Sequence, residues 1–221
     1  WDLVAGFLAT EGVIRSRDDL ASMRYCVDEE QHYNVVDAAL AAGVPVPESV
    51  WSRNFYTTSS CGICGKASID AVTVAVPPAL AEDTTQVRSS VLVSMPDTLR
   101  SAQTVFERTG GLHAAGLFGA GGDLRCLRED VGRHNAVDKV LGWALREGLG
   151  PLSGHVLMVS GRASFELTQK AAVRGVPVLA AVSAPSSLAV DLAETAGVTV
   201  IGFLRGPEMN IYTHPGRVLA S

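Results

Sequence analysis

Two cysteines stand three residues apart in the run Ser59-Ser60-Cys61-Gly62-Ile63-Cys64-Gly65-Lys66, and a glycine follows each. Glycine accepts backbone angles that other residues avoid, so such a loop can be tight and crowds neither sulfur. Lys66 adds a positive charge, which favours thiolate over thiol, and the thiolate is the form that attacks sulfur or binds metal. Three readings stand together here: half of a tetrahedral zinc site, a dithiol that does redox or sulfur-transfer chemistry, and an inert loop. A zinc site needs two further ligands, but Cys26 and Cys126 are each isolated in sequence. An exposed, glycine-flanked thiol without a use is a liability. Redox or sulfur-transfer chemistry is therefore the favoured reading.

A second set of residues suits an anion. The last third alternates short apolar runs with helical stretches, which implies parallel strands with right-handed crossovers. Ligands of such sheets sit beyond the carboxyl ends of the strands. Three of those ends are small and polar: Ser160-Gly161-Arg162, Ser183 to Ser187, and Arg205-Gly206. Two of them open helices, whose free N–H groups attract anions, and two carry an arginine that can grip phosphate. This edge points to a phosphorylated ligand such as a nucleotide, although Ser and Pro are also ordinary helix caps. Neither a P-loop nor a G-x-G-x-x-G is present. His134, Asp138 and Lys139 gather near another helix start. His134 has the chemistry of an acid or base near neutral pH, whereas Asp138 and Lys139 are equally readable as solvated helix surface. His32 is assigned no role.

The elements that must position these residues follow from periodicity. Residues 3–14 read as a helix, and Met23 to Val27 with His32 to Val36 as two strands about a turn at residues 28–31. A short segment from Ala38 to Ala42 ends at Gly43-Val44-Pro45. The polar stretch from Pro77 to Arg88 is the best boundary, giving a small α+β unit over residues 1–82 and an α/β domain over 83–221. In the second unit, Leu99, Ala102, Val105 and Phe106 mark a helix starting near Thr98 and stopping at Gly110-Gly111. Leu112 to Phe118 and Leu124 to Leu127 form a hairpin. A helix over residues 134–146 follows, with Val137, Val140, Leu141, Ala144 and Leu145 inward. Strands at 155–159, 176–182 and 198–204 enclose helices at 164–173 and up to Gly197, for an order α-β-β-α-β-α-β-α-β.

With 221 residues, 47% of them hydrophobic, the chain can bury a sizeable core. A net charge of −5 argues against bulk attraction to nucleic acid. No apolar run approaches the ~20 residues of a membrane span, and no signal-peptide pattern is present. Four cysteines do not make a disulfide scaffold, so a cytoplasmic location is expected. The chain begins at Trp1 rather than methionine, and residues are expected to precede it.

The cysteine run, Glu129-Asp130-Val131-Gly132-Arg133-His134-Asn135-Ala136-Val137-Asp138-Lys139, Ser160 to Glu166, Ala181 to Ser187, Gly202 to Gly206 and Asn210 to Pro215 together resemble the formate dehydrogenase accessory sulfurtransferase family, FdhD. The resemblance runs from near Trp1 to His214 and implies a sulfur carrier. A cysteine desulfurase would load sulfur as a persulfide on Cys61, with Cys64 as a helper or resolving thiol. The sulfur would pass to the molybdenum or tungsten of the bis-pyranopterin guanine dinucleotide cofactor, destined for formate dehydrogenase. Phe203, Leu204, Arg205, Gly206, Pro207 and Glu208 would lie against that cofactor, beside Ser160 and Arg162 of the anion edge. The resemblance also implies a cytidine-deaminase-like three-layer fold for the second domain. The H-x-E and P-C-x-x-C of zinc deaminases are replaced here by His134-Asn135-Ala136 and Ser160-Gly161-Arg162, so no zinc and no deamination are expected. A chaperone that only carries the cofactor, and a thiol-disulfide oxidoreductase, are the rival readings. A homodimer is expected from the prevalence of two-fold symmetry.

Overall fold

Successive side chains along the central strands point into two different apolar clusters, because residues on a strand alternate between its faces. Ala115, Leu117, Leu157, Val159, Leu179, Ala181 and Val200 belong to one cluster. Ala114, Phe118, Val156, Met158, Val178, Ala180 and Ile201 belong to the other. The computed structural model, which describes residues 1–26, 35–46 and 80–220, therefore has a mixed sheet covered by helices on both faces.

The sheet has the order β5-β4-β6-β7-β8-β9 among the described residues. Its strands are β4 (His113–Gly119), β5 (Leu124–Asp130), β6 (His155–Val159), β7 (Val178–Ala181), β8 (Thr199–Arg205) and β9 (Glu208–Ile211). β6, β7 and β8 are parallel, as the alternating pattern predicts. β4 is antiparallel to β6, so the start of β4 lies beside the end of β6. The β4–β5 hairpin forms as expected, with β5 running on to Asp130. β9 was not foreseen; it pairs antiparallel with β8.

α4 (Arg133–Arg146), α5 (Phe165–Val173) and α6 (Ser187–Ala196) pack on one face. The inward stripe of α4 is the predicted one, Val137, Val140, Leu141, Ala144 and Leu145. On the other face, α2 (Ser89–Ala102) buries Leu92, Met95 and Leu99. The helix expected from Thr98 is in fact two. α2 starts at Ser89 and accommodates Pro96, then Gln103 leaves helical geometry at φ −79°, ψ 86°, and α3 (Thr104–Thr109) follows. Gly110, in the left-handed region at φ 67°, ends α3. A two-residue parallel ladder joins β3 (Val87–Arg88) to β10 (Val218–Leu219).

The first segment also differs from expectation in its bounds. α1 (Asp2–Thr10) stops short of Ile14, because Gly12 at φ 76° turns the chain. Val13 and Ile14 fold back beside Ala5 and Ala9. The hairpin pairs β1 (Leu20–Tyr25) with β2 (Val36–Leu40), matching Leu20 to Leu40 and Tyr25 to Val36. That register puts Leu20, Met23 and Leu40 against the α1 cluster, whereas the expected strands, Met23 to Val27 and His32 to Val36, leave out Leu20 and Leu40. His32 lies outside the described residues.

α1 crosses α4 so closely that a Cβ on Gly142 would sit 1.9 Å from the Asp2 carbonyl oxygen. A buried polar cluster fastens the crossing. Lys170 Nζ of α5 donates to both carboxylate oxygens of Asp138 at 2.9 Å and to Thr10 Oγ1 at 2.9 Å. Thr10 in turn donates to Asp138 at 2.8 Å. Asp138 is 2% exposed, so it is not the solvated helix surface that its sequence neighbours suggested. Among the described residues no helix is long and apolar enough to cross a membrane.

Removing one member of a buried ion pair strands the other, at a cost of about 3–5 kcal/mol, whereas replacing both with apolar groups is close to neutral. Lys170→Met should therefore lower the urea-unfolding free energy by that amount, and because Glu11 also lies 3.8 Å from Lys170, Lys170→Met with Asp138→Leu and Glu11→Gln should recover most of it. Equal losses in the single and triple variants would show that the pair does not carry this contact.

Candidate functional site

The carboxyl ends of the three parallel strands stay open because the helices cover the faces and not this edge. The start of β4 joins them there. The Ala114 N–H donates to Ser160 Oγ at 2.9 Å, and the Ser160 N–H donates to the Ala114 carbonyl at 3.0 Å. Beyond the strands the loops keep the parallel register. The Ser183 N–H donates to the Gly161 carbonyl, and the Phe203 N–H donates to the Ser183 carbonyl.

A cavity of about 650 Å³ opens on this edge, within the ~300–1,000 Å³ of small-molecule sites. Ser160, Val182, Leu204, Arg205 and Gly206 form one wall, at the ends of β6, β7 and β8. Pro96, Leu99, Arg100, Gln103 and Phe106 of α2 and α3 form the other. Gly110, Gly111, Leu112 and His113 lie between them. Arg205 is held at the edge by its Nε, which donates to the Val182 carbonyl at 2.9 Å. No described residue accepts from its Nη groups, so the charged end of the fork is available to an anion. Gly206 takes a left-handed φ of 52°, which suits the tight turn from β8 into β9.

Of the residues singled out from sequence, Ser160, Leu204, Arg205 and Gly206 are brought together on this cavity. Phe203, Pro207, Glu208 and Arg162 are exposed and do not line it. Phe203 adopts φ 53°, an uncommon geometry for a residue with a β-carbon. Cys61 and Cys64 lie outside the described residues. The helix starts credited with anion binding are already capped by their own serines. Ser164 Oγ accepts from the Leu167 N–H, and Ser186 Oγ accepts from the Ala189 N–H.

The wall made by α2 and α3 was not foreseen. Arg100 sets its guanidinium over the Phe106 ring, 4.1 Å from the centroid, a cation–π contact. The Glu129 carboxylate fixes the first turn of α3 by accepting from the Val105 N–H at 2.9 Å and the Phe106 N–H at 2.7 Å. The break at Gln103 was the one available signal, and the helical spacing of Val105 and Phe106 conceals it.

The polar run from Glu129 to Lys139 mostly builds this scaffold. Lys139 Nζ donates to the Glu129 carbonyl at 3.1 Å and pairs with Asp130. Burial opposes ionisation of Asp130, but hydrogen bonds from Lys139 and from the Gly132 N–H hold its carboxyl below the ordinary value. His134 Nε2 lies 2.6 Å from Glu166, whose carboxyl that contact holds low. His113, on the cavity, is pushed down by burial and by the charges of Arg133 and His134, so it is neutral at pH 7.

The family model of FdhD/NarQ matches residues 1–219. A sulfur carrier protein FdhD of Mycolicibacterium paratuberculosis is 58% identical over 99% of this chain and 82% of its own length. One from Streptomyces avermitilis is 58% identical over 98% of this chain and 78% of its own length. The corresponding protein of Mycobacterium tuberculosis is 55% identical over 99% and 82%. A crystal structure named for a formate dehydrogenase accessory protein from Desulfotalea psychrophila superposes with a TM-score of 0.70 at 23% identity, over 99% of this chain and 79% of that one. That likeness concerns the fold. The sequence matches concern ancestry, and by them this chain belongs to the FdhD/NarQ family.

Proposed function

We propose that this protein is a sulfur carrier that loads a persulfide on Cys61 and delivers its sulfur to the molybdenum of a bis-pyranopterin guanine dinucleotide cofactor used by formate dehydrogenase. The observation that carries this reading is the cavity at the strand ends, where the open Arg205 fork faces a space of nucleotide size. The names of the 55–58% identical relatives agree with it. The cofactor is cargo here, and its guanine nucleotide is the part the cavity takes. In this reading residues 1–82 supply the cysteine loop and residues 83–221 the cytidine-deaminase-like cargo domain. The protein works in the cytoplasm, as a homodimer.

A single transfer balances with the two thiols, and turnover needs an external dithiol as reductant. The Cys61 thiolate attacks the terminal sulfur of a cysteine desulfurase persulfide; the Cys61–sulfur bond forms, and the desulfurase leaves as thiolate. The Cys64 thiolate then attacks the inner sulfur of the Cys61 persulfide. A Cys61–Cys64 disulfide forms, its two electrons leave with hydrosulfide, and the hydrosulfide becomes the metal ligand. An external dithiol restores the pair.

Cys126 provides an internal control. It is 6% exposed, and burial pushes its thiol up to about 11, so it is neither reachable nor ionised at neutral pH. After incubation with a cysteine desulfurase and cysteine, non-reducing alkylation and peptide mapping should find added sulfur on Cys61 and none on Cys126. Sulfur absent from Cys61 while GDP still binds would sink the carrier step and leave a cofactor chaperone.

The cavity is tested separately. A charge-assisted hydrogen bond is worth about 1.5–3 kcal/mol, so Arg205→Ala should weaken GDP binding in titration calorimetry by about tenfold or more. Its affinity should also lose salt dependence. Unchanged GDP affinity in that variant would remove Arg205 from the site.

A further inference from the structure

Gln103 is the residue at which α2 gives way to α3, and it is 5% exposed on the cavity wall. Its Nε2 has no hydrogen-bond partner among the described residues. A buried amide group left without an acceptor costs free energy, and native structures rarely keep one without a use. Its neighbours on this wall, Leu99 and Phe106, are apolar, and Arg100 covers the Phe106 ring. The opposite wall carries the open Arg205 fork and the Ser160 hydroxyl. One end of the cavity thus suits a flat ring with a hydrogen-bonding edge, and the other suits phosphate.

We propose that Gln103 is the base-reading residue of this cavity: its carboxamide, buried at Nε2 in the ligand-free protein, turns about its last side-chain bond so that Nε2 donates to the 6-oxo group of the purine. The proposal rests on the reading of the cavity as a guanine-nucleotide site and adds to it the orientation of the nucleotide, base toward α2–α3 and phosphates toward β8. No described residue competes for the donor. Asp97 also lines this end, and it offers a second acceptor for the amino face of a guanine ring.

The test pairs a protein change with a ligand change. GDP and the diphosphate of 2-aminopurine riboside, which lacks the 6-oxo group, are titrated into the full chain and into Gln103→Met. Gln103→Met should weaken GDP by about tenfold and leave the 2-aminopurine nucleotide within about twofold, because the lost partner is already missing. The thermal midpoint of the ligand-free variant should hold or rise, since Met fills the space without a stranded N–H. Equal weakening of both nucleotides overturns the 6-oxo assignment. Unchanged GDP affinity removes Gln103 from the site while the cavity reading stands. No binding of GDP by the unaltered chain overturns both. Arg205→Ala should weaken the two nucleotides alike, which sets the phosphate end apart from the base end.

Discussion

The packing of Leu92, Met95 and Leu99 of α2 against Phe118, Met158 and Leu204 is the interaction on which the cavity depends. Leu99 and Leu204 belong both to this core and to the cavity lining. The same contacts that cover the sheet therefore set the distance between the cavity walls. Protein interiors are close-packed and shift little without cost, so a wall fixed this way holds its polar groups in place without spending contacts on the ligand. Gly116 shows how tight the fit is, because a Cβ there would come within 2.7 Å of a Leu99 methyl. On the other face, α1, α4 and α5 are fastened independently by Lys170, Asp138 and Thr10. Both faces of the sheet are held by apolar burial, and the face away from the site adds a buried charge cluster that fastens α1 to α4 and α5.

Much of the sheet was legible because its signal is local. Runs such as His155-Val156-Leu157-Met158-Val159 are apolar on both faces, which only a strand covered twice requires. The helices between them read from their alternation with the strands, and the structure shows Ser164 and Ser186 capping them. What stayed hidden depends on distant partners. β9 is exposed and polar, and its pairing is set by β8 rather than by its own pattern. α2 was expected only from Thr98, yet it starts at Ser89, and Pro96, a residue that usually ends a helix, sits inside it where the apolar face is held by the sheet. Asp138 looked like surface because its apolar neighbours set the stripe; only the arrival of Lys170 from α5 and Thr10 from α1 makes its burial tolerable.

The site divides the same way. Arg205, Gly206 and Ser160 were readable because a parallel strand's carboxyl end is a place known in advance. Gln103, Arg100 and Phe106 were not, because they reach the cavity from a different segment, through a helix break and a ring contact. The Glu129–Lys139 run carried a functional-looking sequence and turned out to support geometry. Glu129 caps α3, Lys139 braces the end of β5, and Asp130 orders the turn into α4. His134 is the exception: its contact with Glu166 links α4 to α5 at the edge where His113 meets the cavity.

The charge balance explains why the cavity is built as it is. A chain of net charge −5 would repel the polyanionic cargo proposed for it at long range, and at physiological salt that repulsion fades over about 8 Å. Capture must therefore come from charge placed inside that distance, which the open Arg205 fork supplies at the phosphate end. The nearby imidazole of His113 adds no charge at pH 7, being pushed down by burial and by Arg133 and His134. In the proposed reading attraction is confined to the phosphates, and selectivity falls to neutral groups such as the Gln103 carboxamide and the Ser160 hydroxyl. That division suits a carrier that has to release its cargo. A site held together by many charges binds tightly whatever the base, whereas one that combines a single open arginine fork with neutral hydrogen bonds can be specific without being irreversible.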